Sequence, residues 1–142
     1  MSTRTAALLF AIVFAVVGIL GFMPSPPPPD APPLTVDHGH GMALGIFPVN
    51  TLHNIVHVLF AILGLAAWGG GRARWYFQML AVSYALLAVL GLSAATNTTF
   101  GFIPIWGADV YLHAAVAIGA FYFGFVHGKV DLHHHHPTPH RA

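Results

Sequence analysis

GIFPVNTLHNIVH (residues 45–57) and GFIPIWGADVYLH (residues 101–113) are one phrase written twice. Laid over each other without a gap, they share the first Gly, the Pro three places on and the final His. Most positions between are apolar in both, and His53 falls opposite Asp109. Each copy opens a long apolar stretch with two ionisable residues four apart, a spacing that puts both on one face of a helix. Upstream, FAVVGILG (14–21) matches YALLAVLG (84–91) in the same way. The chain therefore reads as two units, each an apolar helix, an outer loop, a G-x-x-P entry and a second helix with a polar start.

Composition says what surrounds these helices. The chain is 56% hydrophobic and only 6% charged, whereas a soluble domain carries about 25% charged residues. Most of its surface must face something other than water. Four runs have the roughly 17–25 mostly apolar residues that a bilayer span requires. We expect an all-α membrane protein with four transmembrane helices at about 6–23, 51–69, 74–95 and 109–128. Two spans per unit makes both units cross in the same direction, so the expected fold is two parallel helical-hairpin repeats about an axis along the membrane normal.

Threading four spans gathers Arg4, Arg72, Arg74, Lys129 and Arg141 on one side, and Asp30, Asp37 and Asp109 on the other. The positive-inside rule then predicts that both termini are cytoplasmic. The first apolar run is long for a signal peptide, and GFMPSPPPP offers no small-x-small cleavage site, so helix 1 is expected to stay. Residues 1–128 form the expected transmembrane domain, with a Pro-rich outer loop inserted at 24–44. That loop should be extended and polyproline-like, because Pro fixes φ and lacks a backbone donor. Residues 129–142 form a His-rich tail on the cytoplasmic side. With no Cys, disulfides and thiolate chemistry are excluded. A net charge of +1 gives no basis for nucleic-acid binding.

The candidate site is the set His53, His57, Asp109 and His113, flanked by Asn50 and Asn54 as a polar seam. Ionisable groups inside a span usually turn away from lipid toward the bundle interior. Below them, Ala61 and Gly64 continue the His57 face, and Ala117, Ala120 and Gly124 continue the His113 face. Small residues permit close helix approach, so helices 2 and 4 are expected to pack against each other there. Asp109 also suits the capping of helix 4.

Three uses of the set stand open. It can be a polar clamp, with His57 bonded to His113 and His53 paired with Asp109. Three imidazoles and a carboxylate can instead hold a divalent metal such as zinc, copper or iron. A b-type haem held by His57 and His113 is the third, though the outer side offers no Arg or Lys for its propionates. No nucleophile motif or phosphate loop is present, so no catalytic residue is expected. DHGH at 37–40 is a weaker cluster of potential metal ligands.

FPVNTLHNIVH and GFIPIWGADVYLH in a four-span chain resemble the small bacterial membrane family catalogued as domain of unknown function 4383. Its members pair an N-x-x-H-N-x-x-H helix start with a later D-x-x-x-H start, here Asn50, His53, Asn54 and His57, then Asp109 and His113. The resemblance covers about residues 5–128. It departs in the Pro-rich insertion and at Trp106-Gly107-Ala108, where a more polar turn is the pattern. It implies a multi-pass protein of a bacterial inner membrane and supports the polar set, and brings no activity. The bilayer is the first expected partner. A bundle this small also suits an accessory subunit of a larger membrane complex, or a homo-oligomer, held through Tyr122, Phe123 and Phe125.

Overall fold

The computed structural model describes residues 1–127; the His-rich tail, Lys129 and Arg141 lie outside them. Helix α1 is Thr3–Leu20, α2 Thr51–Gly69, α3 Ala73–Gly91 and α4 Ala108–Phe121, which runs on as a π-helical turn at Tyr122–Val126. Between α1 and α2, strands β1 (Gly41–Ala43) and β2 (Phe47–Val49) pair antiparallel. Each of the four candidate spans has 18 or 19 residues and the apolar composition to cross a membrane. At 1.5 Å per residue that is about 27–29 Å, close to the ~30 Å hydrocarbon core.

Helix α1 runs from Thr3 to Leu20 rather than 6–23, α3 stops short of 95, and α4 widens in its last turn. Helix α1 begins early because Ser2 Oγ accepts from Thr5 N at 3.1 Å, an N-cap. Helix α3 stops at Gly91, where Thr96 Oγ1 donates to Leu90 O at 2.6 Å and folds the following turn back over the helix end. The widened turn of α4 has a local cause. A methyl on Gly124 would lie 2.9 Å from Gln78 N, so only Gly lets α4 approach α3 there. The Gly124 carbonyl accepts from Arg74 Nε at 3.1 Å and Gln78 Nε2 at 3.2 Å, which ties this turn to α3.

Helix α1 packs on α2 and α3 on α4, and the halves join where α3 meets α1 and α2. Among the described residues α2 and α4 are not a closely packed pair, so the expected small-residue seam between them is corrected. The glycines of that expected seam serve other neighbours. A methyl on Gly64 would lie 2.9 Å from Ala11 Cβ and from Tyr76 Oη, so Gly64 admits α1 and α3.

The repeat extends to side-chain detail. Phe14 and Tyr84, equivalent in the two units, meet with ring centroids 5.5 Å apart. Phe14 stacks on His57 at 5.9 Å and Tyr84 sets its edge to His113 at 5.1 Å. Gly21 has no room for a methyl beside the Asn54 side chain, nor Gly91 beside the Ile105 carbonyl and Val110. At the opposite end, Arg4 Nε donates to Trp68 O at 2.9 Å as Arg74 Nε does to Gly124 O. Even the turns correspond, with left-handed Leu44-Gly45 (φ 54 and 70) matching Phe100-Gly101 (φ 60 and 92).

The outer loops are laced rather than free. Ser25 exchanges backbone hydrogen bonds with Met42, and Thr35 N and Val36 N both donate to Gly101 O. The Pro-rich segment itself contains turns and bends but little regular structure, and its two ends are pinned. Pro48, Val49, Pro104 and Ile105 are fully buried beneath this cap.

Candidate metal centre

Asn50 places the first half of the site. Its Oδ1 accepts from His53 N at 2.8 Å and starts α2, while its Nδ2 donates to Val36 O at 2.8 Å and Phe102 O at 2.7 Å. One buried amide thus ties the helix start to both outer loops. His53 and His57 follow on one face of α2, about 3 and 9 Å below its first residue at 1.5 Å per residue. On the other side α4 starts from Gly107 at φ 64, with no side-chain cap. The expected capping role of Asp109 is therefore corrected: its carboxylate turns inward to the imidazoles.

All four ionisable residues are at most 4% exposed, and Asn50 and Asn54 are buried with them. Asp109 Oδ2 lies 3.4 Å from His113 Nε2 and 4.0 Å from His53 Nε2. The rings of His53 and His57 are 4.6 Å apart, and those of His53 and His113 6.1 Å. The side chains thus bridge a gap that the backbones of α2 and α4 leave open. Asp37, His38 and His40 do not join them; His38 Nδ1 hydrogen-bonds instead with Thr51 Oγ1 at 2.9 Å.

Hydrogen bonding inside the cluster is incomplete. Nδ1 of His53, His57 and His113, Oδ2 of Asp109 and Oδ1 of Asn54 are buried and have no hydrogen-bond partner in the protein. Each such group costs about 1–3 kcal/mol if left so. Five in one place is a concentration that packing alone does not explain. Asn54 sits beside Gly21, where only a glycine leaves room for its amide. The other four are donor atoms of the kinds that bind metals.

The donor set fits a transition-metal ion. His53, His57 and His113 each offer one nitrogen within 4.8 Å of the others. Tetrahedral zinc with bonds of 2.0–2.1 Å needs nitrogens about 3.3 Å apart, so each imidazole has to close in by no more than about 0.9 Å. Small side-chain rotations achieve that. Two apolar cavities adjoin the cluster, of 120 and 230 Å³. Both are smaller than the roughly 300–1,000 Å³ that houses a drug-sized ligand, so a porphyrin between His57 and His113 would require the helices to part.

The spacing of the four ionisable residues was visible in sequence. What sequence reasoning missed is their aromatic support: Phe14 and Tyr84 wedge the imidazoles from below. The match of FAVVGILG to YALLAVLG contained that signal, since it aligns those two rings.

The model of the family described as Domain of unknown function (DUF4383) matches residues 4–126, which is nearly all of the described chain. No curated protein and no solved structure matches it.

Proposed function

We infer that this chain, which belongs to that family of unknown function, is a multi-pass membrane protein that holds a divalent transition-metal ion. His53, His57 and His113 are its nitrogen ligands, and Asp109 is its carboxylate ligand or the acceptor that orients His113. One observation carries the reading: three buried imidazoles each bring a nitrogen within 4.8 Å of the others, beside an Asp109 carboxylate 3.4 Å from His113 Nε2, and Nδ1 of all three and Asp109 Oδ2 have no protein hydrogen bond. A clamp built only to join the halves would be expected to satisfy its own polar atoms. The 3.4 Å approach of Asp109 to His113 supports the clamp as the second reading, with the same residues fastening an accessory subunit.

The orientation we infer puts both termini and Arg4, Arg72 and Arg74 on the cytoplasmic face of a bacterial inner membrane. The site then lies in the outer half of the bilayer beneath the laced loops. Impermeant thiol labelling of Ser2→Cys and Ser25→Cys variants in intact cells checks this, with only the Cys at 25 expected to react.

Cobalt(II) titration tests the metal reading. The protein should be the full chain with His133, His134, His135, His136 and His140 changed to Gln, so that the tail contributes no signal. We expect visible d–d bands that saturate at one cobalt per chain, and their loss in His57→Ala and His113→Ala. A folded wild-type site that yields no bands contradicts the reading and leaves the clamp.

A further inference from the structure

The two cavities beside the cluster are related by the same pseudo-twofold as the helices. Val17, Phe47, Val49 and Leu112 line the smaller one, and their repeat equivalents Leu87, Ile103, Ile105 and Val56 line the larger. The smaller lies between α1 and α4, the larger between α2 and α3. Both reach His53 and His57. Each also reaches the outside of the bundle: Leu44 on the wall of one and Leu86 on the wall of the other are more than half exposed. Above the larger cavity, buried Ile105 and the loop that carries it close the way to the outer aqueous phase. Exposed Leu86 on its wall points to an opening on the lipid-facing side, between α2 and α3.

The pseudo-symmetry of the two linings is partial, and one of the differences concerns charge. Asp109 lines the smaller cavity but not the larger. The larger cavity instead brings His53, His57 and His113 together with the side chains of Ser83 and Tyr84. It presents donors and imidazoles and no acid. A divalent ion on three neutral imidazoles, with Asp109 as its one carboxylate, carries an excess charge of +1. In a low-dielectric site an unbalanced charge is costly, so a monoanion entering from the acid-free side is favoured.

We propose that the cavity between α2 and α3 binds the carboxylate head of a single-chain amphiphile, a free long-chain fatty acid, drawn laterally from the outer leaflet onto the metal-bearing histidine cluster. The proposal rests on the metal reading. The 230 Å³ volume takes the head and the first few methylenes, while the rest of the chain lies along the apolar outer walls of α2 and α3 in the bilayer. Ser83 and Tyr84 line this cavity, and their hydroxyls are the donors the proposal assigns to the carboxylate oxygen that is not on the metal. The mirror cavity is unsuited to the same head, because Asp109 repels it.

The test is a palmitate titration of the cobalt-loaded full chain, with its tail histidines changed to Gln, in phosphatidylcholine nanodiscs. It is read by the cobalt d–d bands and by native mass spectrometry. We expect a saturable change in the bands at one palmitate per chain. Hexadecanol, with the same tail and no charge, should need at least tenfold more. Acetate, with the head and no tail, should leave the bands unchanged at the same concentration. Leu87→Trp fills the cavity and should weaken palmitate at least tenfold with cobalt still bound; Val17→Trp, in the mirror cavity, should change it less than twofold. If Leu87→Trp does not fold, Ser83→Leu takes its place with the same expectation. Cobalt bound but bands indifferent to palmitate overturns the proposal, as do equal effects of the two Trp variants or an equal response to hexadecanol. Failure of cobalt to bind overturns the metal reading itself, and this proposal with it.

Discussion

Truncating Phe14 to Ala removes the ring that stands between the two halves of the bundle. Phe14 is 4% exposed and its centroid lies 5.5 Å from Tyr84, 5.7 Å from Phe60, 5.9 Å from His57 and 6.4 Å from Phe10. Four aromatic contacts at about 0.5–1.5 kcal/mol each bound the loss between about 2 and 6 kcal/mol. In a water-soluble core Phe→Ala costs about 3–5 kcal/mol, part of it transfer from water. In a bilayer the unfolded side chain already lies in hydrocarbon, so the transfer part largely cancels and packing remains. We expect about 3 kcal/mol, measured by reversible unfolding in mixed micelles. Phe121→Ala is the control, since that ring is 55% exposed and, among the described residues, stacks only on Phe125 at 5.1 Å; it should cost about 1 kcal/mol or less. If the two variants lose the same stability, Phe14 does not fill an inter-repeat seam and the account of how the halves join is wrong.

The paired glycines give a second test. Gly91→Ala drives a methyl into the Ile105 backbone carbonyl, which cannot turn aside, whereas Gly21→Ala meets the movable end of the Asn54 side chain. The first should lose about 1–3 kcal/mol by overpacking and the second less, as read by the same unfolding assay. Asn50→Ala deletes two donated hydrogen bonds and the cap of α2 together. At about 1 kcal/mol for each bond and for the cap, it should cost about 3 kcal/mol and make the outer loops susceptible to protease added from outside. Thr96→Val, which removes the bond folding the chain back at the end of α3, should cost about 1 kcal/mol and leave cobalt binding unchanged.

Much of the fold was legible because a bilayer imposes coarse rules. Eighteen or more apolar residues read as a span wherever they occur, and the doubled G-x-x-P phrase marks the second helix of each unit. The ionisable cluster was legible because His53 with His57, and Asp109 with His113, keep helical spacing in a setting where such residues are rare. Helix partners were harder to read. Ala61, Gly64, Ala117, Ala120 and Gly124 allow close approach by any neighbour, and a helix apolar all round has no face that names one. Sequence reasoning assigned those residues to an α2–α4 seam; Gly64 admits α1 and α3 instead, and Gly124 admits α3. The β1–β2 hairpin was hidden because its turn puts Leu44 in the left-handed region at φ 54 and its second strand contains Pro48. Both residues argue locally against a hairpin, and burial of Pro48 beneath the cap overrides them. The role of Asp109 was half legible. Its position near a helix start pointed to capping, but Gly107 at φ 64 starts α4 without it and frees the carboxylate to face the histidines.

The most direct test of the central claim is the metal content of the protein as it is isolated. The full chain, with its tail histidines changed to Gln and purified without an immobilised-metal step, should be submitted to elemental analysis beside its His53→Ala/His113→Ala double variant. The account predicts close to one zinc, copper or iron per chain in the first and close to none in the second. Metal-free protein that takes up none on incubation with these ions, or a double variant that keeps its full metal content, would contradict it.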